Sequence, residues 1–155
     1  MTSHSTTPDA SDPHNLQRFL TAQEGVHIHA LREIRAGRKQ THWMWYVFPQ
    51  MTGLGRTQMA HDFGIASLDE AKAYLDHPVL GARLREIANA ALSVNAGSAE
   101  DIFGKTDAMK LRSSATLFAL ASEPGSVFGQ LLNRYFHGAG DEHTVRLLGM
   151  TEGAP

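Results

Sequence analysis

THWMWYVFPQMTGLGRT, residues 41–57, holds both tryptophans of the 155-residue chain. Trp, Tyr, Val and Phe favour β-strands, but the sequence contains no convincing partner strand. We therefore predict a short buried helix for residues 43–48. Pro49 ends that helix, and the glycine pair in residues 53–55 predicts a flexible turn after it.

Amphipathic patterns on both sides of this aromatic segment predict further helices. Asp12 and Pro13 suit the N-cap and first position of a helix, and Gly37 is a suitable C-terminal stop. Apolar residues at helical spacing between them predict one long helix. Gln23 falls within its apolar stripe, where a buried polar side chain needs a hydrogen-bond partner. Gln23 is therefore either a brace in the core or the floor of a pocket.

The rest of the chain continues the helical pattern. Ser67 and Ser98 each precede a predicted helix as capping residues. The helix predicted from Thr106 to about Ser122 is apolar nearly all round, which is typical of a central helix packed on several sides. The prediction is an all-α fold, a compact single-domain bundle of eight or nine short-to-medium helices.

Length and residue usage predict the domain organisation. A chain of 155 residues has the size of one domain. The N-terminus is rich in Ser, Thr and Pro, so we expect a disordered leader at residues 1–11. One all-helical domain is expected at residues 12–150, with a frayed tail at residues 151–155.

The composition excludes several classes of protein. The chain has no cysteine, which excludes a disulfide framework, a thiolate nucleophile and a cysteine-ligated metal. Its net charge is −2 with acidic and basic residues interspersed, so we expect no binding to nucleic acid. No apolar run reaches the roughly 18 residues of a membrane span, and the N-terminus lacks the pattern of a secretory signal. We therefore expect a cytoplasmic protein that does not associate with membranes.

Four stretches of the chain resemble the bacterial domain of unknown function 1810 family. They are the aromatic block HWMWYVFPQMTGLGRT and the segments FLTAQ, AYLDHPVLGARLRE and DIFGKTDAMKLRSSATLFA. The resemblance covers about Leu16 to Leu148 and implies a compact all-α domain whose activity is unassigned. Family members usually carry an aromatic residue where His27 stands and methionine where Ala115 stands. The motif positions carried over, without assigned roles, are Gln23, His42, Trp43, Trp45, Gln50, Gly53, Gly55, Lys110 and Ser114.

The aromatic block has polar residues at both ends. Trp43 and Trp45 could form a stacking wall for a base or sugar ring. They could equally belong to the core, where each aromatic side chain buries about 150–250 Å². His42 could act as a general acid or base near neutral pH, with Gln50 orienting a substrate. Alternatively, His42 caps the short helix.

The glycine-rich turn precedes a predicted helix. The backbone amides of Gly53 and Gly55, together with Arg56, could bind a phosphate or a carboxylate. The turn lacks the third glycine of a dinucleotide fingerprint and the lysine of a P-loop. An ordinary tight turn is the simpler interpretation.

Lys110 and Ser114 are four residues apart and share one face of the predicted central helix. A desolvated lysine could activate the serine hydroxyl as a nucleophile. Alternatively, the lysine extends to the surface and the serine packs at a helix crossing. The second arrangement is less costly, because an unpaired buried lysine is destabilising.

These candidates define the functional hypothesis. The nine histidines show no metal-ligand spacing, so we predict no metal and no cofactor. The expected partner is a small anionic or nucleotide-like molecule in a Trp-lined cleft, with His42 and Lys110 as candidate catalytic residues. The candidate ligand-binding residues are Gln23, Trp43, Trp45, Gln50, Gly53, Gly55, Arg56 and Ser114. The alternative is a non-catalytic interaction or structural module with the aromatic block as core. Neither hypothesis specifies an oligomeric state.

Overall fold

Helices make up the architecture of the computed structural model, which describes residues 11–95 and 97–151. The predicted all-α fold is confirmed, and the described residues form ten helices instead of eight or nine. They are α1 (Gln17–Gln23), α2 (His27–Arg35), α3 (Met44–Val47), α4 (Gln58–Asp62), α5 (Leu68–Asp76), α6 (Leu80–Ser93), α7 (Ala99–Phe103), α8 (Lys105–Leu120), α9 (Val127–Phe136) and α10 (Glu142–Thr151). Apart from Ser11 and Thr151, the predicted leader and tail lie outside the described residues.

The long N-terminal helix predicted from the sequence is two helices, α1 and α2, so that prediction is wrong at its centre. Gly25 lies in the turn between them with φ +74°, a left-handed conformation that favours glycine. The predicted N-cap at Asp12 is also wrong, because α1 begins at Gln17 with Leu16 as its N-cap, although the Asp12 side chain reaches the first amides of the helix. Its carboxylate accepts hydrogen bonds from the amides of Leu16 at 2.8 Å and Gln17 at 3.0 Å.

Helix α8 is central, as its apolar pattern predicts. It packs against α5, α7, α9 and α10, and Leu111, Leu117 and Phe118 on it are fully buried. Two of its apolar residues depart from the prediction, because Met109 is 66% exposed and Leu120 is 50% exposed. A helix with four neighbours still has a strip that faces solvent, and these two side chains lie on it.

Helix α6 is the second helix with several packing partners. It packs against α2, α5 and α9, and it buries Leu80, Leu84 and Ile87. His77 lies in the turn before it, where its Nδ1 accepts hydrogen bonds from the amides of Val79 at 3.1 Å and Leu80 at 3.2 Å. These bonds orient the chain as it enters α6 at Leu80.

The aromatic segment forms the short helix α3, as predicted, and α3 packs against α1. The chain after it folds back through an isolated parallel bridge between Met51 and Ile65. The amide of Thr52 donates to the Ile65 carbonyl at 2.9 Å, and the Ile65 amide donates to the Gln50 carbonyl at 2.8 Å. This pairing holds the glycine turn and α4 beside the aromatic helix. Within the described part of the chain, no helix is long and apolar enough to cross a bilayer.

Candidate functional site

The aromatic helix is mostly core. Trp43 is 1% exposed, as are Met44 and Phe48, and the rings of Trp43 and Phe48 lie 6.4 Å apart. The buried indole finds a partner within the protein, because its Nε1 donates to Glu33 Oε1 at 3.0 Å. Trp43 therefore belongs to the core, and Trp45 is the tryptophan that reaches the surface, where it is half-buried.

The Glu33 carboxylate is the acceptor that organises the chain before α3. It accepts hydrogen bonds from the amides of Gln40 and Thr41, from the Thr41 hydroxyl at 2.6 Å and from the Trp43 indole. Burial raises the pKa of this carboxyl, but these hydrogen bonds outweigh it and lower the pKa from 4.5 to about 2. Glu33 is therefore ionised in the folded protein at neutral pH.

One carboxylate and two lysines join α8 to the two tryptophans. Asp107 Oδ2 lies 2.7 Å from Lys39 Nζ, and Asp107 Oδ1 lies 3.4 Å from Lys110 Nζ. The Lys39 ammonium lies 4.7 Å from the centre of the Trp43 ring, and the Lys110 ammonium lies 4.8 Å from that of Trp45. Two cations thus share one anion, and each also contacts an aromatic face.

The half-buried Trp45 lines a small cleft, which we name the Trp45 cleft. Its other lining residues are Gln50, Met51, Gly55, Ala60, Phe63 and Gly64. The cleft encloses about 10 Å³, which is room for about one water molecule. Among the sequence candidates, the structure brings together Trp45, Gln50 and Gly55 here, with Lys110 against the Trp45 ring.

Gln23 is held by the protein itself. Its Nε2 donates to the Tyr46 carbonyl at 2.7 Å and to the Tyr74 hydroxyl at 3.0 Å, and its Oε1 accepts from Arg83 Nη1 at 3.3 Å. The side chain is 2% exposed. Of the two interpretations of Gln23 made from sequence, this geometry matches the brace in the core.

Three further candidates lie on exposed parts of the chain. His42 is exposed, and within the described chain its ring makes no hydrogen bond or ion pair. Gly53 is in a tight turn with φ +95°. Arg56 is exposed, and its guanidinium has no hydrogen-bond or ion-pair partner among the described residues. His42, Gly53 and Arg56 do not line the Trp45 cleft, although Arg56 directly follows Gly55.

Ser114 and Lys110 share α8 but do not form a pair. Ser114 is 1% exposed, and within the described chain no hydrogen bond joins its hydroxyl to the Lys110 ammonium. Lys110 instead faces Asp107 and Trp45. A serine nucleophile activated by this lysine therefore has no geometric support. The described residues also contain no group of three or more His, Asp or Glu side chains suited to a metal.

The site residues predicted from sequence do not include Glu33, Lys39 and Asp107, which orient them in the structure. Glu33 is a polar residue on an amphipathic helix, and Lys39 lies in a basic link, so neither stands out by residue type. The pairing of Lys39 with Asp107 joins segments far apart in the chain. The sequence carries no local signal for this pairing, because the two residues come together only when α8 packs against the chain before α3.

The fold and site define the class as an all-helical protein with a small cleft beside a tryptophan. The chain belongs to the family described as "Protein of unknown function (DUF1810)", whose model matches residues 13–148. This confirms the family resemblance predicted from the sequence motifs.

One solved structure is similar along almost the whole chain. It is the crystal structure of the conserved hypothetical protein Rv1873 from Mycobacterium tuberculosis, which is 48% identical to this chain with a TM-score of 0.87. The match covers 89% of this chain and 99% of that one. No curated protein matches the chain.

Proposed function

We propose that the protein binds a small anionic molecule at the mouth of the Trp45 cleft. The observation that carries this proposal is the position of the Lys110 ammonium, 4.8 Å from the centre of the half-buried Trp45 ring. A cation beside an exposed aromatic surface suits a ligand that combines an anionic group with a flat ring. Nucleotide-like molecules have this chemistry.

The charges around Asp107 leave Lys110 available to an anion. Asp107 makes its shorter contact, 2.7 Å, with Lys39, whose side chain is 4% exposed. Lys110 has the longer contact, 3.4 Å, and its side chain is 24% exposed. Two ammonium groups and one carboxylate leave one positive charge uncompensated, and it falls on the more exposed lysine.

Unused hydrogen-bond donors lie beside this lysine and tryptophan. Within the described chain, neither the Gln50 side-chain amide nor the Trp45 indole N–H has a hydrogen-bond partner, although both side chains line the cleft. Arg56, next to the cleft residue Gly55, is also without a partner there. Phosphate and carboxylate oxygens accept from donors of this kind.

The size of the cleft limits where a ligand lies. A volume of about 10 Å³ excludes a ring from the interior, so the ligand occupies the mouth. There its flat part rests on the exposed part of Trp45, and its anionic group contacts Lys110 and Arg56. Because His42 lies outside the cleft and Ser114 is buried without a bond to Lys110, the geometry supports binding rather than catalysis.

The test is a thermal-shift screen followed by calorimetry with inorganic phosphate, nucleoside monophosphates and sugar phosphates. A ligand at ten times its Kd stabilises the folded protein by about 1.4 kcal/mol, or roughly 4 °C for a domain of this size. We expect stabilisation of wild type that is reduced in Lys110→Gln and Trp45→Leu. Lys105→Gln is the control for charge, because Lys105 is an exposed lysine on the same helix outside the cleft.

Two results would contradict the proposal. One is a screen in which no anion stabilises wild type. The other is a ligand whose affinity is the same in wild type, Lys110→Gln and Arg56→Gln, with Arg38→Gln as the exposed-arginine control. Either result would favour the alternative, a non-catalytic interaction or structural module in which the aromatic block is core.

A further inference from the structure

Helices α2 and α6 pack against each other and leave a groove at the surface, which we name the α2–α6 groove. Its lining residues are Arg35, Glu86, Asn89, Ala90, Ser93 and Val94. The groove is open to solvent and has a volume of about 350 Å³, which is within the range of small-molecule sites. None of these residues lines the Trp45 cleft, so this is a separate feature of the molecule.

The groove carries opposite charges that do not neutralise each other. Arg35 and Glu86 both line it, but no ion pair joins them, and the Arg35 guanidinium has no partner among the described residues. One oxygen of Glu86 already has a partner, because its Oε1 lies 2.8 Å from His27 Nε2. Its Oε2 has no partner in the described chain. An unpaired arginine and a carboxylate with one unpaired oxygen therefore line the same groove.

Neutral polar groups between these charges are also unused. The Ser93 hydroxyl makes no hydrogen bond within the described chain. The Asn89 side-chain amide donates through Nδ2 to the Arg85 carbonyl at 2.9 Å, and its Oδ1 accepts no hydrogen bond from the described residues. Ala90 and Val94 add apolar surface to the lining. The groove thus combines an apolar part with a donor, an acceptor and two opposite charges.

We propose that the α2–α6 groove binds a small zwitterion, such as a free α-amino acid. The ligand carboxylate pairs with Arg35, and the ligand ammonium pairs with the free oxygen of Glu86. A simple anion would face the Glu86 carboxylate without compensation, and a simple cation would face Arg35. Only a molecule with both charges satisfies both side chains, and this proposal is independent of the Trp45 cleft.

The expected affinity follows from the exposure of the groove. Glu86 has a side-chain exposure of 50%, and exposed ion pairs contribute up to roughly fivefold in affinity each. Binding is therefore expected in the millimolar range, and loss of either charged partner should weaken it about threefold to fivefold. Protein-observed NMR detects binding of this strength directly.

The experiment is an amide chemical-shift titration of the full chain with serine, N-acetylserine and serinamide. Serine carries both charges, and each derivative lacks one of them. We expect serine to shift the amides of α2 and α6 around Arg35 and Glu86, with about threefold to fivefold weaker binding of each derivative. Arg35→Gln and Glu86→Gln should weaken serine binding by the same factor, whereas Arg32→Gln, an exposed arginine on α2 outside the groove, should leave it unchanged.

Distinct results would overturn the proposal. One is the absence of groove shifts with serine and with a panel of the other free amino acids. Another is equal binding of serine and N-acetylserine, which would make the groove a site for anions only. Trp45→Leu separates the two sites, because it should weaken anion binding at the Trp45 cleft and leave the serine titration unchanged.

Discussion

The Trp43 indole donates to the Glu33 carboxylate at 3.0 Å, and this bond ties the aromatic helix α3 to α2. The same carboxylate accepts the amides of Gln40 and Thr41 in the connection between the two helices. A half-buried acid and a buried indole thus determine the path of the chain into the aromatic segment. The first prediction concerns this acid.

Glu33→Gln should destabilise the fold by about 1.5–3 kcal/mol, the typical contribution of hydrogen bonds to a charged group. An amide supplies one oxygen acceptor where the carboxylate uses two. Chemical denaturation at neutral pH measures the loss. Glu24→Gln is the matched control, since Glu24 is exposed and its side chain has no partner within the described chain, so its expected change is within about 0.5 kcal/mol.

The same residue predicts a pH dependence of stability. The pKa of Glu33 is lowered from 4.5 to about 2 in the folded protein, so the unfolded chain binds its proton more tightly. The stabilisation is therefore complete above pH 4.5 and is lost as the pH falls from 4.5 towards 2. Denaturation curves between pH 4.5 and 2 should show that the free energy of unfolding falls less steeply with pH in Glu33→Gln than in wild type. Parallel curves for the two proteins would contradict the assignment.

Gln23→Leu should destabilise the protein by about 1–3 kcal/mol, because it leaves buried partners without a hydrogen bond. The Tyr46 carbonyl and the Tyr74 hydroxyl both lose the Gln23 amide. Denaturation of Gln17→Leu is the comparison, because Gln17 is an exposed glutamine on the same helix. Equal stability of both variants would argue against the brace.

Lys39→Met should destabilise the protein by about 1.5–3 kcal/mol, the typical contribution of a hydrogen bond to a charged group. It removes the 2.7 Å contact with Asp107, and Asp107 keeps only its longer contact, 3.4 Å, with Lys110. The double variant Lys39→Met/Asp107→Leu should lose less than the sum of the two single losses, because the two side chains interact. A double-mutant cycle of denaturation energies measures the coupling, and additive losses would show that the two side chains do not interact.

Gly64→Ala should destabilise the protein by about 1–3 kcal/mol, a typical cost of overpacking. A Cβ at this position would lie 2.7 Å from Thr52 Cβ and 2.8 Å from Thr52 Cα, on the segment paired through Met51 and Ile65. Gly129→Ala is the contrasting variant. It lies in α9, where an added Cβ would be 4.0 Å from Ser126 Oγ, an ordinary van der Waals contact, so alanine should stabilise the helix by up to about 1 kcal/mol. Thermal melts of the two variants should move in opposite directions.

Most of the secondary structure was predictable from short-range features of the sequence, such as helix caps and the spacing of apolar residues. Ser98 caps α7 through a full capping box with Asp101, and the short helix after Trp43 has its expected place. These features depend on residues within one turn of each other, so the sequence contains the whole signal. The break at Gly25 was missed because apolar spacing continues across it, and a single glycine inside such a pattern is compatible with an unbroken helix.

The candidate site was only partly accessible from sequence. Trp45, Gln50 and Gly55 lie within one short segment, and they do share a cleft. The alternatives for Trp43 and Trp45 stayed open, because both have the same residue type and the same apolar neighbours. In the structure Trp43 is core and Glu33 supplies an acceptor for its indole, and that contact depends on where α2 places its carboxylate relative to α3.

The sequence by itself determined the helical class, most helix ends and the concentration of aromatic side chains in residues 41–57. Those properties follow from spacing, capping and backbone preference, which act over a few residues. Only the tertiary structure decided which tryptophan is exposed, which lysine keeps an uncompensated charge and which polar residues face a common space. The reason is clear from the charge cluster of Lys39, Lys110 and Asp107. The charge left on Lys110 depends on distances between side chains of α8 and of the chain before α3, and these distances exist only after the helices have packed.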